Sequence, residues 1–339
     1  MREKEKIHYI QSLRATAIIS VLVLHSISDF FIFRAPFGGK SWWAVNIING
    51  FSRFGVPVFF MMSGYLLLSS QKKESISTFL KKRFLKILLP FFVWNIVDYI
   101  FVGRLKGEMI SISDFFTKFI QMKVSYHYWF IYTLLAIYLF VPVVKPLFYE
   151  KNKKNLWYLF FIILIPTTIA PFINQFFGVW LPLFVLIVEG YVGYFILGYL
   201  LGIQDLSSRK RKIIYLLGLV GAVSSILGTY LFSVPDKIDF FFNGGYQFNS
   251  YFTATAVFVF FKYHMNDLKN KKWNLIFDKM GDLSYRVYLM HVIVLTAIDV
   301  YGNFQSPWSI VLSRILGSVI ICYVIAWILS KIKYIQSFI

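Results

Sequence analysis

The chain reads as long apolar runs separated by short polar gaps. A helix needs about 20 apolar residues to cross a bilayer. Ten segments qualify: 10–33, 43–70, 79–104, 126–149, 155–174, 182–203, 212–233, 248–265, 282–304 and 307–331. The gaps alternate in charge. Basic residues gather in Arg2–Lys6, Lys72–Lys82, Lys151–Lys154, Arg209–Lys212, Lys269–Lys272 and Lys331–Lys333. The gaps between them (34–42, 104–125, 174–181, 234–247 and 302–307) carry little positive charge. Because cytoplasmic loops hold the Lys/Arg excess, this alternation predicts an all-α polytopic membrane protein. It has ten transmembrane helices and both termini in the cytoplasm. The longest outer gap, Gly103–Ser125, is expected to hold a short interfacial helix around Ser113–Met122. No gap has room for a second globular domain, so residues 1–339 are read as one membrane-embedded domain.

Composition agrees with the pattern. The chain is 58% hydrophobic and only 15% charged, which excludes an ordinary soluble protein. Its net charge of +19 does not point to nucleic acid, because the basic residues sit in the gaps between spans. The single cysteine, Cys322, lies within an apolar span, so there is no disulfide framework. The MREKEK start looks like the head of a signal peptide. The run behind it, however, is about 24 residues long, carries Arg14 and His25, and lacks a small-residue cleavage site. It is read as a retained helix.

Ionisable residues inside the spans carry the candidate chemistry. Arg14 and His25 are eleven residues apart in the first helix. That spacing closes three turns to within roughly 20° and separates the two by about 16 Å along the axis. Facing lipid, each would cost about 2.5 kcal/mol or more, so both are expected to line a protein interior or wet cavity. A cation near the cytoplasmic mouth with a base deeper in suits an anionic cofactor and a proton. Arg53, Glu189 and His291 fall between the midplane and the outer third of the bilayer. Each also fits a bland reading: Arg14 snorkelling to headgroups, His25 and His291 as neutral helix-bridging histidines, Arg53 and Glu189 as a structural ion pair. Asp98, Asp299 and Asp29 are placed near outer helix ends, where charge costs little, and receive no role. In the loop KKESISTFLKKRFLK, Arg83 and Lys86 are one turn apart and precede the helix-kinking Pro90. They suit phosphate binding or plain positive-inside anchoring. No phosphate-loop, dinucleotide or zinc-ligand spacing appears, and nothing points to a metal.

Five stretches together resemble the acyltransferase family 3 membrane proteins. They are Arg14-x10-His25, SRFGVPVFFMMSGYLL with Arg53, RFLKILLP from Arg83 to Pro90, HYWFIY with His127 and Trp129, and LSYRVYLMH with Tyr288 and His291. The resemblance covers essentially the whole chain. It implies a multi-pass enzyme of the bacterial plasma membrane that takes an acyl group from cytoplasmic acyl-CoA, most often acetyl-CoA. The acceptor is a hydroxyl of a cell-envelope glycan or lipid-linked saccharide. On that basis His25 is expected to act as general base, Glu189 to orient it and Arg53 to stabilise developing charge. Arg14, Arg83 and Lys86 are expected to hold the CoA phosphates, and His291, His127, Trp129 and Tyr288 to line the acceptor site. Members with a fused extracytoplasmic domain usually carry an acidic residue about five positions after the Trp. Here Leu134 and Leu135 stand there, as in the stand-alone branch that modifies enterobacterial common antigen and the intercellular-adhesin polysaccharide. Succinyl is a second candidate donor group. The rival reading is a membrane transporter of a small molecule or polysaccharide, which also uses buried Arg, Glu and His.

Overall fold

A computed structural model describes residues 7–29, 35–70, 74–148, 153–180, 190–235, 237–265, 271–304 and 306–332. Among these the chain is helical throughout, with one isolated bridge between Val234 and Lys237 and no strand. The helices are α1 (His8–Asp29), α2 (Lys40–Ser52), α3 (Gly55–Leu68), α4 (Ile76–Arg83), α5 (Leu89–Leu105), α6 (Ile112–Ile120) and α7 (Trp129–Val144). They continue as α8 (Lys153–Leu164), α9 (Ala170–Phe177), α10 (Tyr191–Ile203), α11 (Ser208–Phe232), α12 (Phe248–His264), α13 (Lys271–Tyr301) and α14 (Pro307–Lys331).

Eight helical stretches are long and apolar enough to cross a membrane: 8–28, 40–68, 76–105, 126–144, 154–177, 208–232, 272–301 and 308–331. They match eight of the ten expected spans. The other two correspond to shorter helices, α10 with 13 residues and α12 with 17. Residues 182–189 of the expected span 182–203 fall outside the described residues. The protein is an all-α, multi-pass membrane protein.

Three spans are assembled from two helical pieces. Residues 40–68 break at Arg53 and Phe54, between α2 and α3. Pro57 lacks the N–H that the Arg53 carbonyl would otherwise bond, and the Ser20 hydroxyl donates to the Ser52 carbonyl at 3.1 Å. Between α4 and α5 the turn Phe84–Leu88 is π-helical, with the Leu89 N–H reaching back to the Phe84 carbonyl. It lies just before Pro90, and the Tyr285 hydroxyl donates to the Ile87 carbonyl at 2.7 Å. A second π-turn, Ile165–Ile169, contains Pro166 between α8 and α9.

The chain forms two compact units. The first comprises residues 1–24, 28–71 and 144–281. Its centre is the pairing of α3 with α10, where the backbones touch. A Cβ on Gly64 would stand 1.7 Å from the Phe195 carbonyl oxygen, and one on Gly198 would stand 2.1 Å from that of Met61. Small residues permit such close approach where apolar packing between helices has no water to escape from.

The second unit comprises residues 25–27, 72–143 and 282–339. Here segment 104–125 forms α6, close to the interfacial helix expected at Ser113–Met122. Ser111 caps it by accepting from the Asp114 N–H. Phe115 is buried, packing on Phe92 and Tyr99, while Ile112 and Ile120 stay exposed. Asp114 accepts from Lys118 at 2.9 Å and from the Tyr99 hydroxyl at 2.7 Å, and these bonds hold its carboxyl below its ordinary pKa. The helix is thus amphipathic and tied to α5, as an interfacial element requires.

Gly64→Ala is expected to disrupt the α3–α10 contact, because the new methyl meets backbone that cannot rotate away. Gly317→Ala is the control, since its Cβ would meet only the flexible end of Ile298 at 3.0 Å. Fluorescence-detected size exclusion with thermal challenge should show a clear loss for the first variant and a near-native profile for the second.

Candidate active site

Three histidines meet in the second unit. His25 lies near the end of α1, His127 in the 3₁₀ turn Tyr126–Tyr128 that opens α7, and His291 midway along α13. The His291 ring centroid is 4.6 Å from that of His127 and 5.2 Å from that of His25. His127 and His291 are buried, whereas His25 is half-buried and borders the exposed Tyr126 ring at 5.2 Å. The cluster is therefore closed at one end and accessible at the other.

Local bonds fix the two buried rings. Nδ1 of His291 is 2.6 Å from the Tyr288 carbonyl oxygen, one turn back on the same helix. A carbonyl can only accept, so Nδ1 carries the hydrogen and the neutral ring keeps its lone pair on Nε2. The Tyr288 hydroxyl donates to the His127 carbonyl, so one residue holds both histidines. Nδ1 of His127 lies 3.0 Å from the Ser125 hydroxyl. Tyr128 ties the 3₁₀ turn to α13 by donating to the Leu289 carbonyl at 3.2 Å. Nε2 of His127 and Nε2 of His291 are both buried without a hydrogen-bond partner. A buried polar atom left open in this way is a candidate ligand contact.

Two further charged residues belong to this region, and sequence reading gave neither a role. Asp98 is 1% exposed, not a cheap charge at a helix end. Its carboxylate lies beside the Ser125 and Tyr128 hydroxyls. Arg314, on α14, is buried and donates to the His25 carbonyl at 3.2 Å. Its Nε is 3.7 Å from Asp299, so Asp299 too has a partner inside the unit.

Arg53 belongs to the first unit, in a buried network of amides. It donates to Asn49 Oδ1 from Nε at 3.1 Å and from a terminal nitrogen at 2.8 Å, and to the Asn243 carbonyl at 2.7 Å. Asn49 donates to the Asn243 side chain at 2.8 Å, and Asn243 donates to the Thr229 hydroxyl at 2.9 Å. Among the described residues no carboxylate pairs with Arg53. Glu189, expected as a partner for either Arg53 or His25, lies outside the described residues. The sequence signal for the network was present in Asn46 and Asn49 on α2 and Ser225 and Thr229 on α11, polar pairs at helical spacing inside apolar spans.

The expected phosphate-binding residues sit in different settings. Arg14 is half-buried on α1, which runs unbroken through His25 and so preserves the eleven-residue spacing. Arg83 lays its guanidinium over the Phe79 and Tyr138 rings at 5.0 and 5.3 Å. Lys86 is exposed on the π-turn. The π-turn between them departs from the α-helical spacing assumed from sequence. Trp129 is partly exposed at the start of α7, and Tyr288 is buried against His127 and His291.

Residues 7–327 match the family model Acyl_transf_3, described as an acyltransferase domain. The chain belongs to acyltransferase family 3. No curated protein and no solved structure matches it. The match runs through both compact units and takes in all three histidines, so the chain is a membrane acyltransferase. Within the family 3 pattern, the Arg14–His25 helix and the His127 and His291 stretches were expected to share one site. The structure brings together the three histidines and Tyr288.

Asn49→Ala would leave the Arg53 guanidinium buried with two of its bonds gone. The expected cost is about 3 kcal/mol, read as a lower thermal midpoint of the detergent-purified protein. Asn49→Asp should keep the two bonds to Arg53 but lose the one donated to Asn243, and so recover only part of the stability.

Proposed function

We propose that this enzyme transfers an acyl group, acetyl in the first instance, from cytoplasmic acyl-CoA to a hydroxyl of an envelope glycan or lipid-linked saccharide. The bacterial plasma membrane is its setting. The observation that carries the reading is the buried histidine cluster with two open Nε2 atoms beside the accessible His25. The bare Nε2 of His291 lacks a donor, and a sugar hydroxyl can supply one.

In this reading His25 removes the acceptor hydroxyl proton as the oxygen attacks the thioester carbonyl. The C–O bond forms, the C–S bond breaks, and the proton passes from His25 to the departing CoA thiolate. A hydroxyl is a weak nucleophile at neutral pH, and a positioned base typically contributes 10²–10⁴-fold. His291, with its lone pair on Nε2, stands next to His25 and can accept a hydrogen bond from the imidazolium as it forms. His127 and Tyr288 shape the inner wall, and Trp129 borders the entrance to α7. Arg14 and Arg83 serve the phosphates of CoA, Arg14 about 16 Å down the helix from His25. That distance leaves room for the pantetheine arm. Lys86, exposed, adds a mobile charge at the cytoplasmic side. Arg53 remains the candidate for stabilising the thioester oxyanion, with its guanidinium pre-oriented by Asn49 and the Asn243 backbone. Glu189 remains the candidate for orienting His25.

The test is transfer of label from acetyl-CoA to an envelope glycan fraction in membranes. His25→Ala should lower turnover by about 10²–10⁴-fold while acyl-CoA binding persists. Equal turnover in both would remove His25 as the base. Transfer from succinyl-CoA alone would keep the mechanism and change the donor, whereas glycan flux without acyl-CoA would favour a transporter. Arg14→Ala should weaken acyl-CoA binding by about 10–100-fold, the scale of a lost charged hydrogen bond. Unchanged affinity would take Arg14 out of the donor site.

A further inference from the structure

His25 stands four residues before the end of α1 at Asp29. Helix ends fray unless groups outside the helix hold them. The described group that reaches this turn from another helix is Arg314. Along α14 the buried positions Val311, Arg314, Ser318 and Cys322 recur every three or four residues, whereas Leu312 and Leu316 are exposed. Arg314 therefore belongs to the stripe that faces protein, not the one that faces lipid. A cation on that stripe is costly unless its bonds are made inside the protein. Two partners meet it there. Nη2 donates to the His25 carbonyl at 3.2 Å, and Nε stands 3.7 Å from the Asp299 carboxylate. Asp299 lies about two turns beyond His291 on α13. The two helices touch beside it, since a Cβ on Gly317 of α14 would come within 3.0 Å of Ile298 on α13. The guanidinium also sits at the negative pole of α1, where a cation is favoured.

We propose that Arg314 is a positioning residue: steadied by Asp299, it pins the last turn of α1 through the His25 carbonyl and so keeps the His25 imidazole beside His291. The division of labour within the cluster follows. His291 is held by a bond inside its own helix. His25 is held through its backbone by a side chain nearly 300 residues later in the chain. Arginine suits the task because its planar fork serves the carbonyl and the carboxylate from two nitrogens at once, which the single ammonium of lysine does less rigidly. That pinning matters for turnover rests on the acyl-transfer reading, with His25 as base. The placement of the ring does not.

The experiment is NMR of ring-labelled histidine in the full-length, detergent-solubilised protein. The chain has 5 histidines, and the His25 signal is assigned by its loss in His25→Gln. Its ring lies 5.2 Å from those of Tyr126 and His291, so their ring currents mark its position. Wild type should give one displaced His25 signal. In Arg314→Met that signal should broaden, split or move toward the position of an exposed histidine, and in Asp299→Asn it should move the same way by less. A His25 signal unchanged in folded Arg314→Met overturns the proposal. If that variant does not fold, an unchanged signal in Asp299→Asn overturns it instead. In the transfer assay Arg314→Met should lower kcat by about 10–100-fold, the scale of a misplaced catalytic group, with acyl-CoA affinity and KM little changed. Arg314→Lys should recover part of the loss. In a His25→Ala background Arg314→Met should lower the residual turnover no further, and a second full loss there would overturn the proposal. Absence of transfer in a wild type whose His25 signal responds as expected would count against the acyl-transfer reading alone.

Discussion

A peptide group inside hydrocarbon has no water to turn to, so every carbonyl released by a helix irregularity must find a donor within the protein. This constraint organises the chain. Each irregular span lies at or next to a proline, and the freed or widened turns are taken up by side chains. The Ser20 hydroxyl serves the break at Arg53, and Tyr285 serves the π-turn before Pro90. In the turn containing Pro166, the Thr167 hydroxyl donates to the Ile163 carbonyl at 2.6 Å. The same rule applies to the Arg53 guanidinium, which among the described residues is met by amide oxygens and no carboxylate. Neutral partners keep the cation charged without cancelling it, which leaves its field available to an anion.

Eight of the ten spans and the short helix α6 were legible in sequence because each depends on local composition. So was the same-face spacing of Arg14 and His25, since α1 is regular throughout. Asp98 was misread for an instructive reason. The expected end at 104 is within one residue of the observed end at Leu105, so its depth was read correctly and its burial was not. Its burial depends on which face of α5 meets the Ser125–Tyr128 turn, and no single segment encodes that. Arg314 was missed because a lone arginine in an apolar span looks like an anchor until its partner, the His25 backbone, is known. Arg83 and Lys86 were paired on the assumption of α-helical pitch, which the π-turn violates.

The histidine cluster draws its parts from helices far apart in the chain, yet the bonds that set its chemistry are short-range. Ser125 and His127 are two residues apart, and Tyr288 and His291 are three. Long-range packing delivers the rings to one place, while local geometry decides which nitrogen each ring presents. The two tasks are separable, which lets the wall of the site vary without altering its proton inventory.

That separation bears on what happens when the helices around the site shift. The hydrogen bond from His291 to the Tyr288 carbonyl lies wholly within α13, so it travels with the helix as one piece. Tilting or sliding α13 changes where the imidazole is, but not which atom can take a proton. The imidazole is tied to its own backbone, so movement of the helix leaves unchanged which of its nitrogens is bare.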